Sequence, residues 1–364
     1  MLLFDGTWNT PESNTNIHRL EGLIARRDDA GVEQIVQYDE GVGTGRFDRV
    51  RGGLFGLGLS ENVREWYRWI CENYQEDDEL YLFGFSRGAY TARSLAGLIA
   101  QCGLVAAGEP GSKHDAAWEK YSNDGRGLDG ERKYIDIEFL GVFDTVGALG
   151  VPMGPIRSRF TRKGTLFHRT TPSVRYKGMF QALAIDENRK AFRASLWTRY
   201  AHADLEPEPL KDDQSIEQRW FVGAHTNVGG GYAHDPLPDP PLQWMMDKAA
   251  ECGLAFTDEI ELDGAEHRGE IVDSFKKFAG GLYWLSRLGR RFWRSIGAEP
   301  RPVKTRKTGQ GGRSFSINES IDGSVFDRIR DVDGYAPDAL VEWADREGKR
   351  LEELRGPQNI GTWL

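Results

Sequence analysis

Tyr81-Leu82-Phe83-Gly84-Phe85-Ser86-Arg87-Gly88-Ala89-Tyr90 sets a serine inside G-x-S-x-G, between an apolar strand-like segment and a helix-like one. A serine on a sharp strand-to-helix turn exposes its hydroxyl beside the open amides of a helix N-terminus. Ser86 is therefore a candidate nucleophile. The bland alternative is a tight turn whose glycines serve only backbone geometry. Leu80 to Phe83 reads as the strand entering the turn, and Ala89 to Gln101 as the helix leaving it, stopped at Gly103.

On the N-terminal side, Leu2 to Phe4 reads as a buried strand ended by Asp5-Gly6-Thr7. Asn16 is the expected N-cap of a helix from Ile17 to about Arg26, with Ile17, Leu20, Leu23 and Ile24 on one face. Gln34 to Tyr38 is a second strand, and Asn62 to Tyr74 a helix. On the C-terminal side, strands are expected at Ile137 to Phe143, Gln181 to Ile185 and Trp220 to Val222. Strands alternating with helices imply an α/β fold, a mostly parallel sheet with helices on both faces. From about Asp258 the pattern is less regular. It contains a basic aromatic stretch, a Gly/Arg-rich loop from Lys304 to Arg313 and a charged final helix. Without a repeat or a linker that forces a boundary, one domain over residues 1–364 is expected.

A formal net charge of −9 argues against a general nucleic-acid binder. Cys71, Cys102 and Cys252 form neither a paired framework nor metal-type spacing, which suits a reducing compartment. The chain opens directly on a strand, with no basic segment and apolar core of a signal peptide, an abrupt start that suits the loss of a few N-terminal residues. No apolar run approaches the ~20 residues that span a bilayer. A cytoplasmic setting is expected, with export by a signal-less route left open. The glycine-rich Gly41-Val42-Gly43-Thr44-Gly45 lacks both the Lys-Ser/Thr of a P-loop and dinucleotide spacing, so it reads as a turn and no cofactor is expected. Asp5 has no companion carboxylates nearby in sequence. It is expected to hold its loop rather than a metal.

A serine nucleophile needs a base, an acid to orient that base, and amide donors for the oxyanion. Of seven histidines, only His225 follows a strand and enters a glycine-rich loop, Thr226-Asn227-Val228-Gly229-Gly230-Gly231-Tyr232, so it is the candidate base. Two aspartates compete for the acid: Asp144 after the first strand beyond the serine, and Asp186 after the second. Both belong at the carboxyl edge of a parallel sheet, and each could equally be a turn-capping residue. The residues alone leave that choice open. The Arg87 N–H is one expected oxyanion donor, and the loop carrying Gly6 and Thr7 should supply the other. Between residues 275 and 296, Lys276, Lys277, Arg287, Arg290, Arg291 and Arg294 alternate with apolar residues such as Trp284 and Trp293. A helix packed on the core with its arginines in water is preferred there over a peripheral membrane contact.

Several blocks together carry a family resemblance. Phe4-Asp5-Gly6-Thr7-Trp8-Asn9, Gly84-Phe85-Ser86-Arg87-Gly88-Ala89 and Phe143-Asp144-Thr145-Val146 resemble segments of the DUF2235 family. So do Ala182-Leu183-Ala184-Ile185-Asp186-Glu187-Asn188-Arg189 and Trp220-Phe221-Val222-Gly223-Ala224-His225 through Gly229-Gly230-Gly231-Tyr232. This family includes the catalytic part of a class of type VI secretion phospholipase effectors. The resemblance implies an α/β-hydrolase fold with a Ser-His-Asp triad, and favours Asp186 over Asp144 because the acid in such folds usually follows the second strand after the nucleophile. It further implies hydrolysis of carboxylic esters, on lipid or phospholipid acyl groups, through an acyl-enzyme. Small soluble esters are the alternative substrate, and a non-catalytic binding or scaffold protein the alternative class. Asn227 stands where an Asp is common in the family. A counterpart of the large membrane-engaging module of the secreted effectors is not expected within these 364 residues.

Overall fold

The computed structural model describes residues 1–6, 9, 11–41, 55–122, 132–147, 171–202, 211–277, 291–297, 301–304 and 311–360. Eleven strands are present among them: β1 (Leu2–Phe4), β2 (Gln37–Asp39), β3 (Tyr81–Phe85), β4 (Ile137–Phe143), β5 (Tyr176–Ala184), β6 (Thr198–His202), β7 (Ser215–Phe221), β8 (Arg301–Lys304), β9 (Gly311–Ser316), β10 (Glu319–Ile321) and β11 (Gln358–Ile360). Eight of them form one sheet in the order β11-β10-β7-β5-β4-β3-β1-β2. All neighbours in it run parallel except β10 and β11. This is the α/β architecture that the alternating pattern predicts, and the sheet is of the α/β-hydrolase-like kind. Strands β6, β9 and β8 make a separate antiparallel sheet, for which the sequence reading has no counterpart.

Side-chain alternation explains how the sheet is covered. Leu2, Phe4, Leu82, Leu140 and Val142 point to one face, against α2 (Phe55–Asn73), α3 (Arg87–Cys102) and α4 (Gly111–Ser122). Leu3, Phe83, Phe85, Phe139 and Phe143 point to the other. There they meet α1 (Asn16–Leu23) and α6 (Asp239–Glu251), the latter preceded by the short α5 (His225–Gly229). On that second face Phe139 stacks on Phe180 with centroids 5.4 Å apart, and Phe83 lies 5.0 Å from Phe139. Both faces are therefore dry, which is why these strands read as nearly continuous apolar runs.

The part beyond residue 258 adds to this sheet. β10 pairs with β7, setting Ile321 opposite Trp220, and α7 (Gly323–Asp331) and α8 (Asp338–Glu347) cover that end through Val325, Phe326, Leu340 and Trp343. Its irregular periodicity reflects short strands and short helices.

Three local expectations need correction. Helix α1 is capped by Thr15, whose hydroxyl accepts from the His18 N–H at 3.2 Å. Asn16 is instead the first helical residue. Its amide donates to the Val228 and Pro238 carbonyls, pinning α1 to the segment that carries His225. Strands β5 and β7 start earlier than the apolar runs suggest: β5 begins at Tyr176, and β7 at Ser215, with the polar Gln218 buried and bonded to Gln181 and to the Ile317 carbonyl. Lys304 and the residues 311–313 at the ends of the Gly/Arg-rich segment lie in β8 and β9 rather than in a loop. Residues 42–45 and 278–290 lie outside the described residues, and with them most of the glycine-rich turn and of the basic aromatic stretch.

Candidate active site

The turn between β3 and α3 shows why its sequence must be G-x-S-x-G. A Cβ on Gly84 would come within 2.6 Å of the Ala89 Cα, and one on Gly88 would run into the Phe4 and Asp5 carbonyl oxygens. The helix thus lies directly on its own strand at one glycine and on β1 at the other. Ser86, held between them, has φ 58° and ψ −116°, a conformation that side chains other than glycine rarely adopt. Its amide donates to the Phe143 carbonyl at 3.0 Å, locking the turn to the end of β4.

His225 begins α5, just after β7. Its Nε2 lies 2.8 Å from Ser86 Oγ and its Nδ1 lies 2.5 Å from Asp144 Oδ2. An ionised carboxylate can only accept, so Nδ1 carries the proton and Nε2 is left to accept from the Ser86 hydroxyl. The imidazole is flanked by Phe85 (4.8 Å between centroids) and by Phe192, edge-on at 4.9 Å. Burial holds His225 below the usual histidine range, against the opposing pull of Asp144. Burial thus favours the neutral form of this imidazole.

Of the two candidate acids, the structure brings Asp144 to His225. Strands β3 and β4 are direct neighbours with Phe85 opposite Phe143, so the residues that follow them, Ser86 and Asp144, emerge side by side. Asp144 turns at φ 42°, which an aspartate tolerates better than most residues. Asp186 is placed otherwise. Its Oδ2 accepts from the Gly223 N–H at 2.7 Å and from the Tyr335 hydroxyl at 3.0 Å, bracing the exits of β5 and β7. Burial pushes Asp186 up to about 6, although both hydrogen bonds oppose the shift. Strand counting favours Asp186, whereas sheet neighbourhood sets Asp144 beside Ser86 and His225, since β5 lies one strand further from the serine than β4.

Asp144 is fully buried. Burial alone would raise its carboxyl, but the Arg294 charge and the His225 hydrogen bond outweigh that and hold it well below the carboxylate range. Arg294 Nη1 reaches Oδ1 at 2.5 Å and Nη2 reaches Oδ2 at 2.9 Å. The sequence pattern puts Arg294 in water, on the outside of a packed helix. In the structure it is 3% exposed and forms an ion pair with Asp144.

Two further groups are not singled out by the sequence. The His225 N–H donates to Glu187 Oε2 at 3.3 Å, and Glu187 is held by the Arg189 amide, Nε and Nη2 at 2.7–2.8 Å. Burial would raise the Glu187 carboxyl, and the Arg189 ion pair brings it below its usual range instead. The Arg189 guanidinium covers the Phe192 ring at 3.6 Å, so one ion pair fixes both the backbone of His225 and the ring beside it. An acid and a base two residues apart, just past a buried strand, are the available signal for this pair.

The loop after β1 stands where the sequence reading puts it, since a Cβ on Gly6 would lie 3.4 Å from Ser86 Cβ. The Gly6 N–H, however, already donates to Asp5 Oδ1 at 2.6 Å and is not open to an oxyanion. Asp5 also accepts from Asn9, from the Thr15 hydroxyl at 2.5 Å and from the Tyr38 hydroxyl at 2.8 Å, which is the loop-holding role expected of it. Thr7 lies outside the described residues. Arg87 opens helix α3, directly after Ser86. Asn227 uses both ends of its amide. Oδ1 accepts from the Ala224 N–H at 3.1 Å, and Nδ2 donates to Asp235 Oδ2 at 2.8 Å. An aspartate there would face Asp235 without a proton to share. Among the described residues no group of His, Cys, Asp and Glu side chains could hold a metal ion, and no helix is long and apolar enough to cross a membrane.

A serine on a strained strand-to-helix turn, at the carboxyl edge of a mostly parallel sheet and facing a histidine from a later strand, is the arrangement of the α/β-hydrolase-like class. The chain belongs to the family of type VI secretion (T6SS) phospholipase effectors described as "Tle1-like, catalytic domain", also called DUF2235, whose model matches residues 1–248. It is 29% identical over 233 residues to the uncharacterized protein YEL023C of Saccharomyces cerevisiae, covering 54% of this chain and 32% of that protein. A crystal structure of an uncharacterized protein from Pseudomonas aeruginosa is similar with a TM-score of 0.40 at 20% identity, over 79% of this chain and 50% of that one. The chain thus spans about a third of the yeast protein and half of the bacterial one.

Proposed function

We propose that the chain is a serine hydrolase of carboxylic esters, acting on lipid or phospholipid acyl groups through an acyl-enzyme, as one α/β-hydrolase-like domain. The observation that carries this reading is the hydrogen-bonded series from Ser86 Oγ to His225 Nε2 and from His225 Nδ1 to Asp144 Oδ2, at 2.8 and 2.5 Å. Membership of a phospholipase effector family supports the lipid substrate.

In this mechanism His225 Nε2 takes the Ser86 proton as Oγ attacks the acyl carbonyl, and Asp144 stabilises the imidazolium that forms. The Arg87 N–H donates to the developing oxyanion, with a second donor assigned to the loop at Gly6 and Thr7. Because the Gly6 amide is engaged by Asp5, the Thr7 amide is the preferred one of the two. The intermediate collapses as the imidazolium returns its proton to the leaving alcohol. Water then attacks the acyl-enzyme by the same route, which releases the acid and restores Ser86.

A fluorophosphonate probe tests the nucleophile. Wild-type protein should be labelled at Ser86 and a folded Ser86→Ala variant should not; labelling that survives the substitution would sink the reading. Comparing kcat/KM on short-chain esters with that on phospholipid vesicles tests the substrate class. Faster turnover of the short soluble esters would favour the small-ester alternative.

The pH profile follows from the base. His225 must be neutral to accept the proton, and burial lowers its pKa from the ordinary 6.5. The acid limb of kcat/KM, which reports the free enzyme, should therefore have its midpoint below pH 6.5. A midpoint above that value would mean that Asp144, not burial, dominates the imidazole.

A further inference from the structure

We propose that Arg294 is a positioning residue for the Asp144–His225 pair, supplied from a part of the chain beyond the segment that the family model matches. The proposal rests on the hydrolase reading above. Its basis is that the guanidinium directs its hydrogen bonds to the parts of the site that must stay in register. Two go to the two Asp144 oxygens, at 2.5 and 2.9 Å. A third goes to the Ala184 carbonyl at the end of β5, at 2.8 Å, and a fourth to the Phe192 carbonyl at 2.5 Å. The acid, the strand beside it and the residue whose ring lies on His225 are thereby fixed by one planar group. A planar, permanently charged fork suits this task, and the point charge of a lysine cannot reproduce it.

The electrostatic consequence separates a positioning role from a simple tether. Asp144 Oδ2 is shared between His225 Nδ1 and Arg294 Nη2. A carboxylate already neutralised by a fixed cation favours a second cation less, so Arg294 holds the imidazole in its neutral, proton-accepting form. The other charged groups packed around His225 are Glu187, at its backbone amide, and Arg189, paired with Glu187. They form their own ion pair. Arg294 is thus the group whose removal changes the charge balance on Asp144. The signal is hidden in the sequence because 150 positions separate the two partners.

The test measures the fluorophosphonate labelling rate constant against pH for wild type, Arg294→Met and Arg294→Lys, with melting temperatures recorded. A rate constant per labelled site does not depend on how much protein is folded. Arg294→Met should move the acid limb upward by about one pH unit, the scale of a nearby charge, and slow labelling on the plateau. Arg294→Lys should keep the limb near its wild-type place, because the charge remains, yet still label more slowly because the fork is lost. Wild-type rate and limb in a folded Arg294→Met would overturn the proposal and leave only a structural tether. Should Arg294→Met fail to fold, Arg294→Lys decides, and a wild-type rate constant there overturns it equally. Absence of labelling in wild-type protein would overturn the hydrolase reading itself, and this inference with it. Wild-type labelling at Ser86 with unmoved variants isolates the failure to Arg294.

Discussion

Replacing Asp144 by asparagine should lower kcat/KM on an ester by about three to four orders of magnitude, the scale set by removing a triad carboxylate. The same change at Asp186 should leave activity within about threefold, the scatter of substitutions that touch no reacting group. In the Asp144→Asn variant the new side chain would present an amide to the proton on His225 Nδ1 and favour the wrong tautomer, with Nε2 protonated against Ser86. The substitution would also strip Arg294 of its charge partner in a fully buried place, so folding must be checked by circular dichroism alongside the kinetics. Asp186 touches Gly223 and Tyr335, and an asparagine keeps an oxygen for both. A large loss at Asp186 with little at Asp144 would reverse the proposed assignment.

The same pair differs in stability, with a definite sign. Asp186 has a folded pKa of about 6, above its ordinary 3.8. Such a group contributes stability that is complete below pH 3.8 and is lost as the pH rises through 6. Above that range the native state carries a carboxylate that it disfavours. Asp186→Asn should therefore leave the melting temperature at pH 7.5 unchanged or raised, whereas Asp144→Asn should lower it.

Gly88→Ala should be the most damaging single methyl that can be added near the site, costing about 3 kcal/mol or more. The new Cβ would strike the Phe4 and Asp5 carbonyl oxygens, which are backbone atoms of β1 and its exit and cannot swing away as a side chain could. Relief requires α3 to lift off β1, and Ser86 sits at the first turn of α3. Loss of soluble protein, or a marked drop in melting temperature together with activity, is the expected result. A variant that melts within about two degrees of wild type would show that the helix has slack to give.

What can be read from the sequence is whatever depends on near neighbours in the chain. The turn at Ser86 requires glycines two positions either side, and the apolar runs of β3 and β4 require only the strands' own residues. His225 is legible for the same reason, through the strand before it and the glycines after it. The acid is a matter of which strands lie side by side, and counting strands in sequence favours Asp186 where adjacency in the sheet favours Asp144. Intrinsic preference selects Asn16 over Thr15 as a cap, yet the Asn16 amide is drawn away by carbonyls more than 200 residues distant. Arg294 lies in a stretch whose arginines look alike, and only the fold singles out the one facing Asp144. In the small antiparallel sheet, the pairing of β6 with β9 escapes such a reading because it joins segments more than 100 residues apart.

The pairing of β10 with β7 bears on where this protein can be cut. A chain ended at residue 248 would keep Ser86, Asp144 and His225, and would look complete by similarity. It would also leave β7 with an open edge of unpaired amides and bare the apolar surface of Leu183, Trp220 and Val222. An uncovered strand of that kind recruits other chains. The piece that carries Ser86, Asp144 and His225 and the piece that keeps the open side of β7 covered are therefore different lengths.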